Sequence, residues 1–172
     1  MLRLRPYKDC DAETIVSWLG DEEAFRKWSA DRFDHYPITP EDLKRHYHAL
    51  DDSDSYFPMT AFDESGVVGH MIMRFTDPEK KEIRFGFVIV DRQKRGMGYG
   101  HKMLQLALRY AFDILSVDKV TLGVFENNES AARCYFRQGF QLIPGEQDSC
   151  YHVLGEDWKC LELEMPRTAY EH

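Results

Sequence analysis

The sequence predicts an α/β fold, a mixed and mostly antiparallel sheet with helices on both faces. Three observations predict it. Two strand-like runs, 56–62 and 67–75, flank the polar turn Asp63-Glu64-Ser65-Gly66 and form an antiparallel hairpin. In the middle, an apolar run at 83–90, a glycine-rich turn, an amphipathic segment at 103–115 and a second apolar run at 119–125 read as strand, helix and parallel strand. That unit needs a right-handed crossover. After residue 140, strand-like runs at 140–143, 151–154 and 158–165 supply the closing strands.

The 172 residues fit one domain, 1–172, large enough to bury a proper core, with no linker, repeat or low-complexity tract. A formal charge of −8 argues against nucleic acid and favours a cationic partner such as an amine. No apolar run reaches membrane-spanning length and the N-terminus lacks a signal-peptide core, so a soluble, cytoplasmic protein with no membrane partner is expected. Cys10, Cys134, Cys150 and Cys160 form no CxxC pair and no metal-ligand spacing. They read as reduced thiols, and no metal is expected.

Taken in order, Leu2 and Leu4 alternate with Arg3 and Arg5 as a first short strand. Helical spacing follows at 11–19, through Ile15, Trp18 and Leu19, with a second short helix at 22–28. The aromatic stretch 30–38 has no clear period and reads as a loop. Thr39-Pro40-Glu41-Asp42 is a helix start, with Thr39 as N-cap and Pro40 in the first helical position, and the helix runs to about residue 50. A polar break at 51–55 precedes the hairpin, and a polar turn at 76–81 follows it.

In the strand 83–90, parity points Ile83, Phe85, Phe87 and Ile89 one way and Arg84, Gly86, Val88 and Val90 the other. On the helix 103–115 the buried stripe comprises Met103, Leu104, Leu106, Ala107, Tyr110, Ala111, Ile114 and Leu115. A helical segment at 129–138 ends at Gly139, placed as a C-terminal glycine cap. Residues 144–149 read as a loop.

Between strand and helix lies Arg95-Gly96-Met97-Gly98-Tyr99-Gly100. Glycines let successive N–H groups converge on an anion, and the helix start and Arg95 add positive charge. A phosphate-bearing ligand is implied. The loop is not a nucleotide-triphosphate P-loop, because His101 and Lys102 stand where Lys-Ser/Thr would be needed. Nor is it the dinucleotide fingerprint, because the glycines fall at every second position.

The remaining pattern, Arg-x-x-Gly-x-Gly over Arg95, Gly98 and Gly100, resembles the acyl-CoA pyrophosphate loop of the GNAT superfamily of N-acetyltransferases. A second motif strengthens the resemblance: Asn128, Ala131, Tyr135, Gly139 and Phe140 match that superfamily's Asn-x-x-Ala, its Tyr four residues on, and its Gly-Phe. Asn128 also suits an N-cap, and Ala131 and Tyr135 share one helical face.

The resemblance covers about 83–140 and implies acetyl-CoA as acetyl donor. It implies that the strands 83–90 and 119–125, the central parallel pair, splay apart, often with a bulge in the former, and that a pantetheine arm pairs with the backbone from Val88 to Val90. The pyrophosphate would sit on the N–H groups of Arg95, Gly96, Met97, Gly98, Tyr99, Gly100 and His101. Asn128 and Ala131 would border the arm, and the thioester would lie beside Tyr135.

The implied activity is direct transfer to an amine in a ternary complex, with Tyr135 protonating the departing thiolate and a backbone N–H near Val88 stabilising the oxyanion. Members that carry a Glu on the second splayed strand would have it at Gly123, so Glu82 and Glu126 become the candidate bases, beside a water chain. Phe25, Trp28, Phe33 and Tyr36 cluster where such proteins wall the acceptor pocket, and with Glu82, and acids such as Glu22 or Glu23, would suit a cationic amine. The acceptor could be a small amine or a peptide or protein amine, and the late strands could pair two subunits. A non-catalytic acyl-CoA-binding module and a different phosphate ligand on the same loop are the alternatives.

Overall fold

The computed structural model describes residues 1–145 and 149–171. The loop expected over 144–149 therefore lies in part outside the described residues. The strands are β1 (Arg3–Pro6), β2 (Tyr56–Asp63), β3 (Gly66–Phe75), β4 (Glu82–Val90), β5 (Lys119–Phe125), β6 (Gln141–Leu142), β7 (Ser149–Val153) and β8 (Glu156–Pro166). The helices are α1 (Ala12–Ser17), α2 (Glu22–Ser29), α3 (Pro40–His48), α4 (Tyr99–Arg109), α5 (Glu129–Gln138) and α6 (Arg167–Tyr170).

They build a mixed sheet in the order β1-β2-β3-β4-β5-β8-β6, with β7 also on β8. Among the described pairs only β4 and β5 run parallel. Helices cover both faces. On one, α4 and α5 cover a core of Met71, Met73, Ile83, Phe85, Met103 and Leu104. On the other, α1 to α3 cover Ile15, Phe25, Leu43, Ile72, Phe87 and Ile89.

Local chemistry sets the helix ends. Thr39 Oγ1 accepts from the Asp42 N–H at 3.2 Å while the Asp42 carboxylate accepts from the Thr39 N–H at 2.8 Å, a reciprocal cap with Pro40 behind it. The Asp21 carboxylate accepts from the Ala24 N–H at 2.7 Å and starts α2. Gly139 ends α5 at φ 111°.

The parity expected of β4 holds only for its first half. Phe87 has φ 49°, and the register with β3 passes from Gly86↔Ile72 to Ile89↔His70, so Phe87 and Val88 together face Met71. This is a β-bulge, and an extra residue reverses which way every later side chain points. Ile83 and Phe85 therefore enter the core under α4, whereas Phe87 and Ile89 enter the one under α1 to α3, and Val88 and Val90 turn toward α4.

The expected stripe on α4 also breaks near its end. Residues Tyr110–Ile114 wind into a π-turn. Its wider turn buries Ala111 and Phe112 but leaves Ile114 68% exposed. Leu108 and Phe112 fill the interior instead.

The N-terminal helices are tied to the sheet by a buried polar cluster. Asp11, 2% exposed, accepts from the Arg5 guanidinium at 2.7 and 2.8 Å, the Lys8 N–H at 2.9 Å and the Thr60 hydroxyl at 2.8 Å. Burial alone would push this carboxyl up, but those partners hold it below the usual range. Thr60 sits opposite His70 on β3, whose Nε2 lies 2.6 Å from the Tyr47 hydroxyl.

Candidate active site

The parallel pairing of β4 with β5 runs from Glu82↔Lys119 to Phe85↔Leu122 and stops there. Beyond it the bulge turns β4 away, and the facing edges of both strands lose their ladder partner. A cavity of about 480 Å³ occupies the opening. Gly86 to Val90 of β4, Leu122 to Val124 of β5, Arg95 and Gly100, and Asn128, Ala131 and Tyr135 border it.

The loop 95–100 is shaped by its glycines. Gly96 and Gly98 take φ 74° and 82°, which a side chain would disfavour, and Gly98 precedes the first residue of α4. The unpaired N–H groups of the α4 start thus face the same opening as Arg95. Gly100 has φ that any residue can adopt; a Cβ there would meet Cys134 Sγ at 3.7 Å and Val90 Cγ2 at 3.8 Å, ordinary contacts. The fold does not require that glycine. The Tyr99 hydroxyl donates to Asp63 at 2.7 Å, toward the β2–β3 turn, and neither Tyr99 nor His101 borders the cavity with its side chain. Met97 points to solvent.

Asn128 precedes α5, but its side chain makes no capping hydrogen bond. This corrects the expected capping role and leaves the amide available to the cavity it borders. Ala131 and Tyr135 line the same wall one turn apart. Tyr135 is buried, its ring packs edge-on to Phe140 at 6.2 Å, and its hydroxyl has no partner among the described residues. Burial pushes its phenol well above the ordinary value, so it stays a proton donor at any physiological pH.

A second cleft of about 400 Å³ meets the first at Trp28, Phe85 to Phe87 and Gly123. Trp28 holds the bulge: its Nε1–H donates to the Phe87 carbonyl at 2.9 Å, and the two rings stack at 4.6 Å. His46, on the last turn of α3, lies 5.7 Å from the Phe87 ring and also lines this cleft. Burial, then the nearby Arg32, lowers its pKa, so the ring is neutral at pH 7.

The other expected residues stand elsewhere. Glu82, at the start of β4, is ion-paired with Lys119 at 3.3 Å, and Glu126 is exposed beside Lys159 at 3.6 Å. Neither borders either cleft. Phe25 is sealed in the core under α1 to α3, and Tyr36 packs on it, tilted by 40° at 5.2 Å, without reaching either lining. Of the expected acceptor wall, Trp28 borders both clefts and Glu23 borders the first, beside Asp21. Sequence reading missed His46 because its relevance depends on α3 packing against the bulge, a contact between residues 41 positions apart. Among the described residues no group of His, Cys, Asp and Glu could hold a metal ion, and no helix is long and apolar enough to cross a membrane.

A family model of the acetyltransferase (GNAT) domain matches residues 1–141. The spermine/spermidine N(1)-acetyltransferase of Bacillus subtilis (strain 168) is 31% identical over 98 residues, 54% of this chain and 64% of that protein. Acetyltransferase PseH of Campylobacter jejuni is 27% identical over 104 residues, 60% of this chain and 62% of that protein. The chain thus spans less than two thirds of the length of these curated relatives. Among solved structures, a spermidine N-acetyltransferase from Vibrio cholerae in complex with CoA and spermine superposes with a TM-score of 0.84 over 99% of this chain and 98% of that one, at 18% identity. At that identity the likeness is one of fold.

Proposed function

The chain belongs to the GNAT acetyltransferase family, and from that premise we propose that it moves an acetyl group from acetyl-CoA to the amine of a small molecule. The observation that carries the reading is the end of the β4–β5 pairing at Phe85↔Leu122, which opens a cleft from the Arg95 loop to Tyr135. The reading includes a cytoplasmic setting, in keeping with four cysteines that form no disulfide.

Acetyl-CoA supplies an acetyl group activated as a thioester. The N–H groups after Gly96 and Gly98, with Arg95, receive its pyrophosphate. The unpaired edge of residues 86–90 and the free Asn128 amide receive the amides of its arm, and Ala131 leaves room for it. Tyr135 donates its hydroxyl proton to sulfur as the C–S bond breaks and the N–C bond forms. The backbone N–H of Val88 steadies the oxyanion, and the proton leaving nitrogen passes to His46, directly or through water. His46→Gln should lower kcat with little change in KM for acetyl-CoA; an unaltered kcat would return the task to water alone.

Gly100→Ala tests the cradle. Alanine is favoured over glycine in a helix by about 1 kcal/mol, so the melting temperature should hold or rise while the affinity for CoA falls about tenfold, the added methyl standing where the pyrophosphate must approach. Wild-type protein should be stabilised against heat by CoA and not by ATP or NAD. The reverse pattern, or a Gly100→Ala protein with full CoA affinity, would remove CoA from this loop.

A further inference from the structure

We infer that the acceptor carries an anionic group, a carboxylate or phosphate, a few bonds from its reacting amine, and that Arg74 receives that group; this rests on the acetyl transfer proposed above. The second cleft is lined by Lys27, Arg32, Arg74 and Arg84 and, among the described residues, by no carboxylate. In a chain of formal charge −8, that is a local reversal of sign.

Three of these cations have partners. Lys27 pairs with Glu23 at 3.1 Å and Arg32 with Asp31 at 2.7 Å. Arg84 is gripped at both ends by Glu162, at 2.7 and 3.2 Å. Gly123 makes room for that pair, because a Cβ on it would stand 2.7 Å from Arg84 Nη2. Position 123 is thus kept free of a side chain for an arginine and its clamp.

Arg74 has no carboxylate partner among the described residues. It lies directly opposite Arg84 across the β3–β4 pair, and like charges in that arrangement repel. Burial first, and then Arg84 and Arg32, pull its pKa below the usual guanidinium value. Glu162, already clamped on Arg84, acts on Arg74 only through its charge; a half-buried guanidinium with no ion-pair partner is unfavourable, and its planar fork matches a carboxylate or phosphate. Beside it Tyr56 lines the same cleft, its phenol pushed up to about 12 by burial and so a donor to an anion at neutral pH.

Position relates this site to the chemistry. Arg84 precedes Gly86, where the sheet opens, by two residues, a rise of about 6.6 Å. An amine at the opening and an anion at Arg74 are therefore separated by the span of a small metabolite. A polyamine with several ammonium groups meets the unpaired Arg74 in this cleft and no carboxylate in its lining.

The test is thiol release from acetyl-CoA with matched acceptors: an amino acid and its amide, an amino sugar phosphate and the unphosphorylated amino sugar, and spermidine. The anionic member of at least one pair should be used with kcat/KM about 10- to 100-fold higher, and which pair responds distinguishes carboxylate from phosphate. Arg74→Gln should abolish that preference mainly through KM, Arg74→Lys should restore part of it, and CoA affinity measured by calorimetry should stay as in the wild type. Preference for spermidine or for the neutral members, or a preference that survives Arg74→Gln, would overturn the inference while leaving acetyl transfer intact. Should no amine release thiol, calorimetric binding of the same amines to the CoA-loaded protein decides. Anion-dependent binding lost in Arg74→Gln supports the assignment and removes only the chemistry, and binding without that dependence overturns it.

Discussion

Tyr135→Phe is expected to lower kcat about 10²-fold, at the lower end of what a positioned general acid supplies, with CoA affinity nearly unchanged. The substitution deletes one hydroxyl that has no partner among the described residues and keeps the ring that packs on Phe140. Its effect on folding should be slight, so lost turnover reports the missing proton. The raised phenol pKa matters here, because a group that never ionises near neutrality donates equally well across the working pH range. Single-turnover kinetics would separate the chemical step from product release. An unaltered rate for that step would mean that the thiolate leaves without help from Tyr135.

Acid should destabilise the fold steeply well before carboxylates titrate. His70 is fully buried beside Tyr47, and desolvation pushes its pKa down to about 3. The unfolded chain takes up a proton near pH 6.5 that the folded chain refuses, so stability falls as pH drops from about 6.5 toward 3, by about 1.4 kcal/mol per unit. His46, lowered in the same direction, adds to the same limb. Asp11 contributes later: its depressed pKa gives stability that is present above the ordinary carboxylate range and is lost as pH falls through the folded value. His70→Gln should flatten the slope between pH 6 and 4 by about 1.4 kcal/mol per unit, measured by urea unfolding at each pH. A slope identical to wild type would mean that the folded protein protonates His70 at no penalty.

What could be read from the sequence was local. The Thr39 cap, the Gly139 stop and the hairpin turn at 63–66 each involve residues within a few positions, and each lies where expected. The loop 95–100 was legible for the same reason, since three glycines at every second position admit few backbones. The bulge at Phe87 was not visible in the pattern of β4, because an extra residue leaves the order of apolar and polar residues untouched while reversing their direction. That reversal, held by Trp28 from 59 positions away, both opens the sheet and sends Phe87 into the second cleft. The π-turn that exposes Ile114 is equally silent in an apolar period.

Two of the expected pocket aromatics lie away from the clefts for a related reason. Phe25 and Tyr36 looked like pocket residues because aromatic side chains suit both pockets and cores, and here the core took them. The cationic lining combines Lys27 from α2, Arg32 from a loop and Arg74 and Arg84 from neighbouring strands, with Glu162 on β8 holding Arg84 from behind. Only the strand register, Arg74↔Arg84 and Gly123↔Glu162, brings them together. Glu82 and Glu126 were the nearest carboxylates in sequence, yet both are spent on surface lysines.

The most direct test of the account is amine-dependent release of thiol from acetyl-CoA by the wild-type protein, followed with a thiol reagent and by mass measurement of the acetylated product. Release should rise with amine concentration and give a product heavier by one acetyl group, and both should form about 10²-fold more slowly with Tyr135→Phe. Firm binding of acetyl-CoA with no release above spontaneous hydrolysis, across amines with and without anionic groups, would contradict it and leave a protein that holds acyl-CoA without using it.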